Sequence, residues 1–200
     1  MRWLRRSDPV APLPAQVREG LGLARGERVL AHATLAPGGW LVATTTALVL
    51  VDPIDGPASG PGTPRVRTPW HDIAEAVWRA DERTLRVRWV TGDDGEQLLL
   101  LGEGESYFPE VVRERVMSTY VLSRRIDVRG RRGVTVAVRR RADASLVVQA
   151  VADPGVDLLR PAVADEVAAA ARALRQQVGL PADGPIVGLT DDEPETRRLA

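Results

Sequence analysis

His71 and Asp72 are adjacent, and an imidazole beside a carboxylate has its tautomer set and its basicity raised, as general acid–base catalysis needs. The chain has only two histidines, His32 and His71. Trp70-His71-Asp72 falls where a strand begins, which favours a turn with Asp72 capping backbone amides over a catalytic pair. His32, inside an apolar run, reads as a sheet histidine. Asp93, Asp94, Glu96, Glu103 and Glu105 would put oxygen ligands for Ca²⁺ or Mg²⁺ on two loops around one strand, yet their spacing matches no EF-hand loop and reads as two solvated turns. There is no G-x-S-x-G elbow, no lysine and no cysteine. A P-loop, a Schiff base, a thiolate nucleophile and cysteine-held zinc are thereby excluded. No catalytic residue, metal ligand or cofactor site is assigned, and the expectation is a protein that is not an enzyme.

Charge is the second chemical signal. The chain as a whole is balanced, with 27 basic and 27 acidic residues, so no global field draws it to nucleic acid or membrane. The stretch 124–141 departs from that balance. Arg124, Arg125, Arg129, Arg131, Arg132, Arg139, Arg140 and Arg141 stand there against Asp127 alone, which predicts a basic face on a small sheet and a candidate anion-binding surface. The stretch has no aromatic residue on which a base could stack, and exposed strands often carry charge merely to prevent edge pairing. Binding of nucleic acid or an anionic membrane surface is therefore the second reading.

The elements that position these groups follow from periodicity. At 200 residues and 44% apolar content, the chain can bury one good core, or one core plus a small appended one. The apolar runs 28–35 and 40–51 flank Ala36-Pro37-Gly38-Gly39 and read as a hairpin whose second arm reverses near Thr45-Thr46. Short strands are predicted before and after His71-Asp72. Over 83–90, Leu85, Val87 and Trp89 alternate with Arg86 and Arg88. The leucines of 97–101 suggest burial on both faces, or an edge covered by a helix. An amphipathic helix over 107–122, with Ser106 as its cap, carries Phe108, Val112, Val116 and Tyr120 on one stripe. Three more strands end at Val151, and a last helix runs from Pro161 to a C′ glycine, Gly179.

The expected divisions are an arm and short helix at 1–25, a bent-sheet domain at 26–122, a βββα extension at 123–180, and a disordered tail at 181–200. The acidic tail could fold back on the arginine stretch. No apolar run approaches the roughly 20 residues of a spanning helix, and the first residues lack the apolar core of an export signal. A cytoplasmic protein with no transmembrane segment is expected.

Seven strands followed by one amphipathic helix resemble the pleckstrin-homology-like superfold, in which a strongly bent antiparallel sheet or partly open barrel is capped by a helix, an α+β fold. The bacterial PH-like and GRAM-type branch is closer: Gly26-Glu27-Arg28-Val29-Leu30 opens one strand, Gly39-Trp40-Leu41-Val42-Ala43-Thr44 the next, and Trp70 with Asp72-Ile73 precedes a later one. The likeness covers about residues 26 to 122. The chain is also similar to uncharacterised proteins of high-GC bacteria, which implies no activity. In lipid-binding members of the superfold, basic residues in and beside the first hairpin loop hold phosphoinositide headgroups. Here that loop, Ala36 to Gly39, has no cation, which argues against a phosphoinositide ligand. The resemblance implies a non-catalytic module whose partner is a protein or peptide.

Overall fold

The computed structural model describes residues 12–53, 64–91, 96–102 and 107–189. The arm 1–11, the stretch 54–63, Ser106, Asp93, Asp94, Glu103, Glu105 and the acidic end of the tail lie outside the described residues, as does the side chain of Arg129.

The protein is α+β: among the described residues there are three antiparallel sheets and a C-terminal helix, and no closed barrel. A short helix α1 (Ala15–Gly20) leads into a meander of β1 (Val29–Thr34), β2 (Trp40–Thr44), β3 (Ala47–Val51) and β4 (Pro64–Pro69). A 3₁₀ turn at Trp70–Asp72 opens the second sheet, β5 (Ile73–Arg79), β6 (Thr84–Trp89) and β7 (Glu96–Leu100). Helix α2 (Phe108–Ser118) follows, then the third sheet, β8 (Tyr120–Arg129), β9 (Arg132–Arg140) and β10 (Leu146–Ala152), and finally α3 (Pro161–Gln177).

Gly39 makes the first hairpin possible: its φ is +95°, and a Cβ there would lie 2.6 Å from the Val51 carbonyl oxygen. At the other end of β2 the chain reverses at Thr45-Thr46, where the Thr44 hydroxyl accepts from the Ala47 amide at 3.0 Å and lies 3.0 Å from its carbonyl. The unbroken apolar run of β3 is explained by burial on both faces. Leu48 and Leu50 join the main core, while Ala47, Val49 and Val51 pack with Val17 and Leu21 beneath α1. The first two sheets meet where Leu35 bridges Leu101, with the Ala36 amide donating to the Leu100 carbonyl. Phe108, Val112 and Val116 of α2 cover the core between them. A second cluster forms as Val134, Val136, Val138 and Val148 pack on Val163, Val167 and Leu174 of α3.

Three expectations need correction. Helix α2 ends at Ser118, and Tyr120 begins β8, because the Tyr120 hydroxyl and the strand's pairing with β9 outweigh a further helical turn. The leucines of β7 are not buried on both faces. Leu98 is 59% and Leu100 42% exposed, since β7 is an edge whose outer face has no described cover. Lastly, the disordered tail expected from 181 does not begin there. Ile186 is buried against α3's core, and Val187 exchanges hydrogen bonds with Val148 and Ala150 as a short parallel addition to β10. The C′ glycine is as expected: Gly179 has φ +72°, and the Leu180 amide reaches back to the Arg175 carbonyl.

Candidate functional site

The eight arginines do not form one basic face. Side chains alternate along a strand, and the β8–β9 register pairs Arg124 with Val136 but Arg125 with Thr135, sending these two arginines to opposite sides of the sheet. Arg139 and Arg140 part in the same way. Arg125 is also occupied, ion-paired with Asp153 and donating to the Arg131 carbonyl. That pairing first, and then the Gly133 amide, hold the Asp153 carboxyl below its usual range against the opposing effect of burial. Arg124, Arg131 and Arg132 are exposed.

Arg139 is the clearest departure from a surface role. It is only 1% exposed, and its Nε donates to Thr119 Oγ1 at 2.7 Å while Nη2 donates to the carbonyls of Trp70 and Ile73 at 3.0 and 2.9 Å. The guanidinium lies 3.8 Å from the centre of the Tyr120 ring, a cation–π contact. Burial lowers its pKa from the ordinary value, and Tyr120 and Asp72 oppose that shift. Arg139 fastens the third sheet to the turn that opens the second, and it is not an anion-binding residue.

Arg140 and Arg141 are exposed and do meet other cationic groups. The 3₁₀ turn, the Thr45-Thr46 turn, the end of α2 and the β9–β10 connection enclose a pocket of about 330 Å³. His71, Arg115, Arg140 and Arg141 line it. The walls are fixed by the Trp70 indole donating to the Thr44 carbonyl at 3.0 Å, the Arg140 amide donating to the Thr119 carbonyl at 2.7 Å, and Arg115 Nη2 donating to the Thr45 carbonyl at 3.0 Å. Ala144 closes the connection in the left-handed region, φ +68°, a conformation that costs a residue with a Cβ about 1–2 kcal/mol. His71 Nε2 lies 3.4 Å from Asp72 Oδ1. Burial, with Arg141 and Arg139 adding to it, holds the imidazole below its ordinary pKa, while Asp72 and Asp143 pull the other way. The expected turn is thus present, but His71 belongs to a cationic recess. Arg115 escaped the sequence reading because a lone arginine on a helix gives no signal until the chain folds.

A second concavity, about 400 Å³, runs between β5 and α2. Ala74, Ala76 and Val77 form one wall, Val116 and Met117 the other, and Arg88, Arg113 and Tyr120 supply polar groups. Met117 is 55% exposed. β5 is an edge strand that pairs only with β6 among the described residues. Its first carbonyls are already taken, Ile73 by Arg139 and Ala74 by the Tyr120 hydroxyl at 2.8 Å.

Of the acidic residues considered for metal binding, Glu96 is described, and it pairs with Arg86 at 3.3 Å. His32 lies in β1 with its ring tilted 6.1 Å from that of Trp40. Among the described residues no helix is long and apolar enough to cross a membrane. Comparison with known proteins brings no family to this chain: no family model matches it, and no curated protein or solved structure does either.

Proposed function

We propose that this protein is a non-catalytic interaction module of the pleckstrin-homology-like kind, and that it takes up an extended segment of a protein partner along β5. Four strands, three strands and a covering helix in that order support the PH-like reading, with β8–β10 and α3 as its βββα extension. The observation that carries the binding proposal is the groove between α2 and the edge of β5, which beyond Ala74 no described strand pairs on its outer side, with exposed Met117 on its lip. An edge strand offers backbone donors and acceptors to a peptide, and an apolar wall beside it offers a pocket for alternate side chains. A nucleic acid or membrane surface has less support, since the arginines of 124–141 are divided between two faces and partly consumed internally.

The test is selection from a random peptide library displayed on phage, followed by amide shift mapping of a selected peptide on the full chain. Selected peptides should carry an apolar anchor, shift the amides of Ala76 and Val77, and lose about tenfold or more in affinity to Met117→Glu, since a buried charge in the groove costs at least 1.4 kcal/mol. Peptides that bind without perturbing β5 or α2, or with an affinity indifferent to Met117→Glu, would remove the groove from the account.

A further inference from the structure

We propose that the pocket between the end of α2 and the β9–β10 connection is a binding site for a small dianion of the phosphomonoester class, held by Arg115, Arg140 and Arg141. The site is separate from the β5 groove and does not depend on it.

The argument begins with where arginines go in this protein. Arg67 takes Glu27, Arg79 takes Glu82, Arg86 takes Glu75 and Glu96, and Arg125 takes Asp153. Arg115, Arg140 and Arg141 take no carboxylate among the described residues, although they converge on one recess together with His71. Among the described residues no carboxylate lines that recess. Asp72 and Asp143 are near enough to act on His71, and Arg141 and Asp143 act on each other, but the hydrogen bonds described for Asp143, from the Ser145 amide and hydroxyl, both fall on its Oδ1 and hold it in its own turn. Gathering like charges costs free energy that an anion removes, and guanidinium groups match a phosphate through charge-assisted, paired N–H donors. Arg115 Nε is a buried donor with no partner among the described residues, and its Nη2 is anchored on the Thr45 carbonyl, so this guanidinium is positioned before any ligand arrives.

Size and place narrow the ligand. A pocket of about 330 Å³ is at the lower end of small-molecule sites and too concave for a duplex or a membrane plane, which suits a phosphate carried on a small group. The pocket is at the Thr45-Thr46 end of β2, whereas the hairpin loop Ala36–Gly39 is at the other end. It is therefore not the headgroup site that the superfold resemblance would suggest. It also exists only where two parts of the chain meet, since Arg115 comes from α2, Arg140 from the end of β9 and Arg141 from the residue after it. His71 is held below its ordinary pKa by burial and by Arg141 and Arg139, so it reports on occupancy: an anion beside it would raise its pKa.

The experiment titrates the full chain with inorganic phosphate and, separately, with AMP as a soluble phosphomonoester, by calorimetry and by the NMR shifts of the His71 imidazole. Saturable binding of either probe with a shift at His71 is expected; tighter binding of AMP assigns the ester, and equal binding assigns the free anion. Arg140→Ala with Arg141→Ala should weaken binding about tenfold or more, as loss of charge-assisted contacts does, while Arg131→Ala at the opposite end of β9 should bind as the parent. Arg115→Gln should weaken binding too; because Arg115 also braces the Thr45 turn, the exposed pair Arg140 and Arg141 decides the matter. The proposal is overturned if neither probe saturates or moves His71, or if the double variant binds as the parent. It is equally overturned if Arg131→Ala loses as much, which would mark a diffuse surface charge effect.

Discussion

Glu27 shows how much one side chain organises at the start of the first sheet. Its side chain is 3% exposed. Oε1 accepts from Thr44, Thr46 and Arg67 at 2.6, 2.5 and 2.6 Å, and Oε2 from the Ala24 amide at 3.1 Å. Burial by itself would raise its pKa, but these donors prevail and lower it from 4.5 to about 2. The folded-state value lies below the unfolded one, so the carboxylate contributes its full stability above pH 4.5 and loses it as pH falls toward 2. A shift of that size corresponds to a contribution on the order of 3 kcal/mol. Glu27→Gln is accordingly expected to lower unfolding free energy at pH 7 by about 2–3 kcal/mol and to flatten the acid limb of the stability curve between the two pKa values. Urea unfolding across pH 2 to 7 checks this; parallel curves for parent and variant would show that Glu27 is not the titrating group.

Among the elements, α2 is the one on which both candidate sites depend. Its inner stripe of Phe108, Val112 and Val116 is 0–2% exposed and closes the core, while Met117 on its outer side edges the β5 groove and Arg115 reaches the cationic pocket. Fully burying each large apolar side chain contributes about 1.5–3 kcal/mol. Val112→Asp would place an unpaired carboxylate in this core and should cost several kcal/mol, about 3–5, seen as a large fall in denaturation midpoint. A melting temperature equal to the parent's would mean that α2 does not cover the core in solution.

At the scale of the whole molecule, a set of polar contacts joins the first two sheets to the β8–β10 unit. Arg139 reaches from β9 to Thr119, Trp70 and Ile73, and the Tyr120 hydroxyl donates to Ala74. Arg88 adds a hydrogen bond to the Ala152 carbonyl at 3.4 Å. Arg139→Met keeps the volume but strands two buried carbonyls, which predicts a loss of about 2–4 kcal/mol. Arg139→Lys should not restore it, because a point ammonium cannot span the hydroxyl and both carbonyls as a planar fork does. Calorimetry should resolve one unfolding transition in the parent and two in Arg139→Met; a single unchanged transition would show that the joint is held by other contacts.

The strands and helices were legible because their signals are local. Leu85 and Val87 alternate with Arg86 and Arg88 over a few residues, and Val163, Val167 and Leu174 recur at helical spacing, so backbone periodicity alone assigns the element and its inner face. The turn at Thr45-Thr46 and the glycine at 179 were legible for the same reason. Polar residues carry no such signal. Glu27 and Arg139 are charged in the sequence and buried in the fold because their partners, Thr44 to Thr46 and Arg67 for one, Thr119, Trp70 and Ile73 for the other, lie 17 to 69 residues away. Leu98 and Leu100 remain exposed because no described element covers their face of β7, and the stretch 181–189 is ordered because Val187 finds β10. By itself the sequence determined which segments form strands and helices and, the leucines of β7 aside, which apolar faces turn inward. Only the tertiary structure decided which arginines are internal braces and which meet His71 in a common pocket, since a charge is stabilised by whichever distant groups the fold brings within hydrogen-bonding reach.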